Sequence, residues 1–248
     1  MLDLPRHLLQ STAAAAEMAA GQPPAGLLHP LEETQLAELR LPRRRRHWLI
    51  GRWAAKHLLH TYLAETLAAA PALSQILIAN DPRGAPYAAL AAAQPAFPPQ
   101  RLPLSLSISH TGHWGLAALC PQQTAAVGAD IEQVTRLEPR LVEAICTPGE
   151  LAQVRARPHD QQDLLITALW SGKEAALKAL GAGLSGGIRQ IDCTLPAEPP
   201  AGEWAELGLD AARDLLAGLA GARFRAWQRL EGEFVITLAL LATAETGA

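Results

Sequence analysis

The segment Gly51-Arg-Trp-Ala-Ala-Lys-His-Leu-Leu59 returns in outline as Gly172-Lys-Glu-Ala-Ala-Leu-Lys-Ala-Leu180, 121 residues later (51 to 172). A glycine, a basic residue, an Ala-Ala pair and a closing leucine coincide. Each copy reads as a helix that precedes strands. In a chain of 248 residues, such an offset points to two similar halves. The expected fold class is α+β: a helix with antiparallel strands in each half, at 1–123 and 124–248, packed as a pseudo-dimer. The cleft between the halves is then the expected ligand site.

Composition narrows the class of protein. Hydrophobic residues at 49% and charged residues at 18% belong to a globular chain rather than a disordered one. Cys120, Cys146 and Cys193 stand far apart, which disfavours a disulfide framework and a zinc site and fits a reducing compartment. The N-terminus lacks the charged region and apolar core of a signal peptide. The longest apolar run, Phe234 to Ala244, is too short for a membrane span and reads as a buried strand. A cytoplasmic protein without membrane attachment is expected. The net charge of −3 argues against polyanion binding by the whole surface, so no nucleic-acid partner is expected. The local distribution differs: Arg40, Arg43, Arg44, Arg45, Arg46, Arg52 and Lys56 fall in one short segment.

Residues 1 to 31 read as a short helix followed by a loop. Pro42 suits the first turn of a long helix that runs to about Ala70 and stops before Pro71. Four successive arginines at its start point around the helix and oppose its macrodipole. Solvent with Glu32, Glu33 and Glu38, or a bound phosphate held by one or two arginine forks, would compensate them. Asn80 to Pro86 is turn-rich. Leu104, Leu106 and Ile108 alternate with Ser105, Ser107 and Ser109, which predicts a strand with two distinct faces. With Trp114–Cys120 and Ala125–Glu132 it reads as a three-stranded meander. That arrangement would put Ser109 and His110 about 10 Å from Asp130 and Glu132.

Downstream, Leu137–Cys146 reads as a helix and Thr147-Pro-Gly-Glu150 as a capping box opening another. Leu164–Gly183 reads as an amphipathic helix that Asp160 could cap at its start and Gly181 at its end. On it Trp170, Glu174 and Lys178 fall four apart in one row. That row is either a packed aromatic beside a solvated ion pair or a set of working groups. Ile188–Leu195 reads as a strand, Asp210–Leu219 as a helix, and Phe224–Leu241 as a hairpin turning at Glu231-Gly232-Glu233. Asp130 and Glu132, two apart on a strand, leave the same face, either as solvated acids or around a cation. An oxygen-only pair would suit Mg²⁺ better than zinc. The acidic pair, the helix carboxylate with its lysine, the strand-end Ser-His and the arginines together describe a Mg²⁺ site beside a phosphorylated ligand.

Val127-Gly-Ala-Asp-Ile-Glu132, followed some forty residues later by Trp170-Ser-Gly-Lys-Glu-Ala-Ala-Leu-Lys178, resembles the paired signature motifs of the 4'-phosphopantetheinyl transferases. The Ser107-Ile-Ser-His110 strand end and the Gly51-Arg52 helix are similar to upstream motifs of the pseudo-dimeric, Sfp-type branch, and chain length agrees with that branch. The resemblance runs from about Arg43 to Gly183. It implies an enzyme, a holo-[acyl-carrier-protein] synthase. Such an enzyme transfers 4'-phosphopantetheine from coenzyme A to a serine of an apo acyl or peptidyl carrier protein and releases adenosine 3',5'-bisphosphate. It implies a monomer with internal pseudo-twofold symmetry serving fatty-acid, polyketide or nonribosomal-peptide synthesis. Carried over by position, Asp130, Glu132 and Glu174 would hold Mg²⁺. Glu174 would be the base for the carrier serine, and Lys178 would steady phosphate charge. Ser109, His110, Arg43 and Arg52 would meet coenzyme A. Gly84-Ala-Pro86 stands where many members have Gly-Lys-Pro, which leaves Arg83 as a substitute cation. Two other readings remain: a Mg²⁺-dependent nuclease gripping DNA through the arginines, and an inactive carrier-protein binding module.

Overall fold

The computed structural model describes residues 3–91, 98–122, 125–183, 187–196, 202–219 and 221–242. The chain divides into two compact units, Arg6–Gln123 and Thr124–Ala248, the latter joined by Met1–Pro5. The expected boundary at 123/124 lies on residues outside those described.

The Arg6–Gln123 unit begins with strand β1 (Arg6–Ser11) and helices α1 (Ala16–Ala19), α2 (Pro30–Glu38) and α3 (Pro42–Thr66). It continues with β2 (Ile76–Asn80), β3 (Pro86–Leu90), β4 (Gln100–Arg101), β5 (Leu104–Thr111) and β6 (Trp114–Pro121). Pro42 does occupy the first turn of α3, where its missing N–H costs nothing. The strands form two antiparallel sheets, ordered β1-β6-β5 and β2-β3-β4. Leu58, Leu59 and Leu63 of α3 pack on Ile76, Ile78, Leu104, Leu106 and Leu119. Each such side chain taken from water is worth roughly 1.5–3 kcal/mol.

In the Thr124–Ala248 unit come β7 (Ala126–Gln133), α4 (Pro139–Ile145), α5 (Pro148–Arg155) and α6 (Gln162–Leu180). They are followed by β8 (Ile191–Thr194), β9 (Ala205–Ala211), β10 (Arg223–Glu231) and β11 (Phe234–Ala242). One antiparallel sheet runs β7-β11-β10-β9-β8. Leu165, Leu169, Ala176 and Leu177 of α6 pack with Ile145, Val154 and Ile191. Gly181 ends α6 in the left-handed conformation, φ 63°, which a residue with a Cβ resists.

The two units share a plan. Each opens on a strand that pairs with its own last strand, and each places short helices before one long helix. A one-turn 3-10 segment then leads into the remaining strands. The mixed helix and antiparallel-sheet class expected from the pattern is the class observed.

Several expectations are corrected. The N-terminal segment supplies β1, not only a helix; it is held by its ladder to β6, a partner more than a hundred residues away. Because β6 carries β1 on one edge and β5 on the other, it has no edge left for β7. The three-stranded meander therefore does not form. β7 pairs with β11 instead. Asp210 and Ala211 complete β9, and the following stretch makes isolated turns, such as Leu215 N–H to Ala212 O at 3.0 Å, rather than a helix. Asp160 does not cap α6, whose N-cap is Gln161 with no side-chain bond.

Candidate functional site

The α6 segment Trp170-Ser-Gly-Lys-Glu divides into five roles because helical periodicity sends successive residues to different neighbours. Ser171 is buried and its hydroxyl lies 2.9 Å from Thr237 Oγ1 of β11. Gln228 of β10 donates to the same Thr237 oxygen at 2.9 Å and to Ala168 O at 3.0 Å, locking the rotation of α6 over the sheet. Gly172 leaves room for Leu207, whose Cδ2 would lie 2.9 Å from an added Cβ. Lys173, fully buried, ion-pairs with Glu150 at 2.7 Å and donates to Ile145 O at 2.8 Å, so it is scaffold. Trp170 and Glu174 face β7.

A close approach makes that facing possible. A Cβ at Gly128 of β7 would fall on the Ala175 carbonyl of α6, so the strand can lie against the helix only because residue 128 is glycine. Asp130, almost completely buried, accepts from Lys178 Nζ at 2.6 Å, and the same ammonium donates to Ala129 O at 3.1 Å. Glu174 lies 3.6 Å from that ammonium. Glu132 accepts from Trp170 Nε1 at 3.2 Å. Trp170 thus packs in the core, as expected of it, and also orients a carboxylate. Sequence reasoning missed that second role, although the row at four-residue spacing carried the signal.

The electrostatics follow from this crowding. Burial pushes the Glu132 carboxyl up to about 7; the Asp130 charge adds to the rise, against the Trp170 bond, and Glu174 adds further. Glu174 is raised too, first by burial and then by Asp130, against the pull of Lys178. For Lys178, burial disfavours the charge, but the Asp130 and Glu174 carboxylates outweigh it and raise the pKa. Three carboxylates crowd together here, and the Lys178 ammonium offsets part of their charge.

Asp130, Glu132 and Glu174 are thereby brought to one face. Among the described residues, no three His, Cys, Asp or Glu side chains already form a metal-ready cluster. Asp130 and Glu174 converge instead on the Lys178 ammonium. The donor set still fits a hard divalent cation: it is all oxygen, and a cation would offset both the burial and the mutual repulsion that raise Glu132 and Glu174.

The Arg6–Gln123 unit holds a separate pocket, lined by Arg43, Arg44, His47, Trp48, Gly51 and Arg52 of α3, by Ile108 and His110 of β5, and by Asn80 at the end of β2, Gly84 of the turn after it and Pro86 at the start of β3. His110 and Ser109, adjacent on a strand, take opposite faces. His110 is exposed to the pocket, and Ser109 is buried on the other side, so the two are not brought together. Arg52 lines the pocket but is turned inward, its Nη2 3.4 Å from Ile78 O and its guanidinium 4.4 Å over the Trp48 ring. Arg45 is occupied elsewhere, donating to Gly21 O at 3.1 Å and Leu36 O at 2.6 Å. Of the four successive arginines, Arg43 and Arg44 face the pocket. Arg83 sits at an exposed turn and does not line it.

Comparison with known proteins bears on the first of these two places. Residues 126–238, which contain Asp130, Glu132, Glu174 and Lys178, match the model of the 4'-phosphopantetheinyl transferase superfamily. The 4'-phosphopantetheinyl transferase psf-1 of Bacillus pumilus is 26% identical over 151 residues, 60% of this chain and 56% of that protein. The 4'-phosphopantetheinyl transferase Sfp of Bacillus subtilis is 30% identical over 79 residues, 32% of this chain and 34% of that protein. A crystal structure of Helicobacter pylori holo-[acyl-carrier-protein] synthase in complex with coenzyme A is 16% identical, covers 47% of this chain and 99% of that one, and has a TM-score of 0.38. The chain spans about half the length of psf-1, the longest of these sequence matches. Over residues 126–238, this chain is therefore similar to the 4'-phosphopantetheinyl transferase superfamily.

Proposed function

We propose that the chain transfers the 4'-phosphopantetheine group of coenzyme A to a serine of an apo acyl or peptidyl carrier protein, with Mg²⁺, and releases adenosine 3',5'-bisphosphate. The observation that carries this reading is that the superfamily match spans the Asp130, Glu132, Glu174 and Lys178 group, four interacting side chains on β7 and α6.

On this reading the carrier serine oxygen forms a bond to the phosphorus next to the pantetheine arm. The bond from that phosphorus to the bridging oxygen breaks, and adenosine 3',5'-bisphosphate leaves with the electron pair. Glu174 receives the serine proton; burial raises its pKa and so makes it a better proton acceptor than an exposed carboxylate. Lys178, already held between Asp130 and Glu174, contributes a fixed positive charge to the transferring phosphoryl group. Asp130, Glu132 and Glu174 are the residues that would hold Mg²⁺, which when bound supplies charge neutralisation at the pyrophosphate. Trp170 fixes the Glu132 carboxylate, and the Ser171–Thr237–Gln228 bonds fix the helix that carries Glu174. The pocket lined by Arg43, Arg44 and His110 is the candidate place for the coenzyme A phosphates. The proposal includes a working monomer whose two units pack as a pseudo-dimer, which light scattering and small-angle scattering check.

The deciding experiment is an intact-mass assay of a panel of apo carrier proteins from fatty-acid, polyketide and nonribosomal-peptide systems with coenzyme A and Mg²⁺. A gain of one phosphopantetheine arm on the serine supports the reading. No gain on any carrier, together with DNA cleavage by the same preparation, would replace it with the nuclease reading.

A further inference from the structure

Helix α2 opens on an N-cap that can titrate. His29 caps it with its ring, whose Nδ1 accepts from the Leu31 amide at 3.1 Å. The His29 amide in turn donates to Glu32 Oε2 at 3.0 Å, which closes the capping box. An imidazole accepts at Nδ1 only while it is neutral; once protonated, both ring nitrogens are donors. Protonation would set one N–H against another and place a positive charge at the positive end of the helix dipole. In the Thr124–Ala248 unit, Thr147 does the same work for α5. Its amide donates to Glu150 Oε2 at 2.7 Å, and its hydroxyl accepts from the Glu150 amide at 3.4 Å. A hydroxyl keeps its acceptor lone pairs across the neutral and mildly acid range. What sets the two boxes apart is the ionisable ring. The groups around that ring come from three elements. Burial acts on it most and lowers its pKa; Glu32 of α2 opposes this, Lys56 of α3 adds to it, Glu33 of α2 opposes it, and the net effect is a lowering. Glu32 is committed to other partners: Oε2 also meets Lys56, and Oε1 accepts from the uncharged Ile78 amide of β2 at 3.1 Å. Lys56 donates as well to Leu27 O at 2.8 Å, two residues before the cap.

We infer that the His29–Glu32 box is an acid-sensitive latch: the neutral imidazole holds the first turn of α2 closed, and uptake of a proton at Nδ1 opens it, while the Thr147–Glu150 box stays shut. The ordinary pKa of histidine lies just below neutrality, so mild acid is the operating range. A ring that accepts at Nδ1 binds a proton more weakly than the same ring in an opened turn. Opening therefore takes up a proton, and the closed form's advantage, complete above the ordinary histidine value, is lost as pH falls below it. The proton comes from solvent and ends on Nδ1. The far end of α2 extends the effect, because Arg45 of α3 donates to Leu36 O at 2.6 Å and Leu39 O at 3.3 Å. A loosened α2 thus loosens the tie that holds the start of α3. The latch stands independently of the transfer reaction and adds a pH response to the Arg6–Gln123 unit.

The test is amide hydrogen exchange of the full chain between about pH 8 and about pH 5, with each rate normalised to that of an unfolded chain at the same pH. Protection of the α2 amides is expected to fall about fivefold across the range, the weight of a lost N-cap, while protection in α5 holds constant. His29→Thr, which copies the Thr147 cap, is expected to keep α2 equally protected from one end of the range to the other. His29→Asn, another residue favoured at N-caps, is expected to do the same. Wild-type protein whose α2 protection does not change with pH overturns the inference. So does a fall that persists in both variants, which would place the titrating group elsewhere. A fall of equal size in α2 and α5 overturns it as well, because it would report a general weakening in acid rather than the release of one cap.

Discussion

The long helices α3 and α6 are anchored by the same device and present different chemistry. In each unit a glutamate three residues past a helix N-cap is buried and closes a capping box, Glu32 with His29 and Glu150 with Thr147. One carboxylate oxygen of each accepts the N-cap amide, at 3.0 Å for Glu32 and 2.7 Å for Glu150. The other accepts a strand amide, from Ile78 at 3.1 Å and Cys193 at 2.8 Å. Each carboxylate also meets a fully buried lysine of the long helix, Lys56 or Lys173. Each lysine donates to the carbonyl five residues before its glutamate, Leu27 or Ile145, at 2.8 Å in both cases. Matching these lysines sets the repeat at 117 residues (56 to 173), one helical turn from the 121-residue register of the sequence match. A four-residue slip keeps a helix face nearly in place, so Ala-rich segments fit both registers. The device register pairs Trp53 with Trp170 and His57 with Glu174. β7 contributes Asp130 and Glu132, whereas β1 contains no acidic residue. The difference teaches that the buried pair is scaffold common to both units, and that the acidic row is particular to one of them.

The largest effect is expected where that added chemistry is removed. Glu174→Gln should lower carrier modification by roughly 10²–10⁴-fold, the range for a lost general base, while coenzyme A still binds. His57→Gln, at the matching place in the other unit, should leave the rate within about twofold, since the His57 ring bonds only its own helix at Trp53 O, 2.9 Å away, among the bonds described. Single-turnover mass assays on both variants compare them, and equal losses would break the distinction between the two faces.

Next come the buried lysines. Removing one partner of a buried pair strands the other charge, at a cost of about 3–5 kcal/mol. Lys173→Met should reach that range in urea unfolding. Lys56→Met should cost about 1 kcal/mol less, because Arg52 Nε remains 3.8 Å from Glu32. A larger loss for Lys56→Met would mean that the two anchors are not equivalent in energy.

The smallest effect is a pH dependence confined to the acidic copy. Glu132 rises from its ordinary 4.5 to about 7 in the folded protein. Between those values the folded chain holds a proton that the unfolded chain has released, so this group's contribution to stability falls as pH rises through that window. Glu132→Gln, neutral at every pH and still able to accept from Trp170, should remove the fall. Its Tm relative to wild type should climb by a few °C between about pH 5 and 8 in metal-free buffer. A constant difference across that range would show that the Glu132 carboxyl is not held protonated.

Much of the local structure was legible from residues alone. Alternation in Leu104–Ser109, the Glu231-Gly232-Glu233 turn, Thr147 with Glu150 and the glycine at 181 each became the element their chemistry favours. The site residues were legible as types and spacings. Their partners were not. Lys173 and Lys178 looked alike on either side of Glu174, but the helix turns one into the core against Glu150 and the other toward Asp130. Arg45 is indistinguishable from its neighbours in sequence, and only the end of α2 beside it takes it out of the pocket.

The sequence by itself determined the near-neighbour structure, because helix faces, turns and caps depend on residues within a few positions of one another. Which strand pairs with which was decided by the tertiary structure. β7 follows β6 in the chain, yet β1 occupies the edge of β6 it would have used, and β11 accepts it instead. Edge occupancy and burial depend on contacts far apart in sequence, which no local pattern encodes. They are what turned a polar row on a helix into four side chains sharing one charge balance.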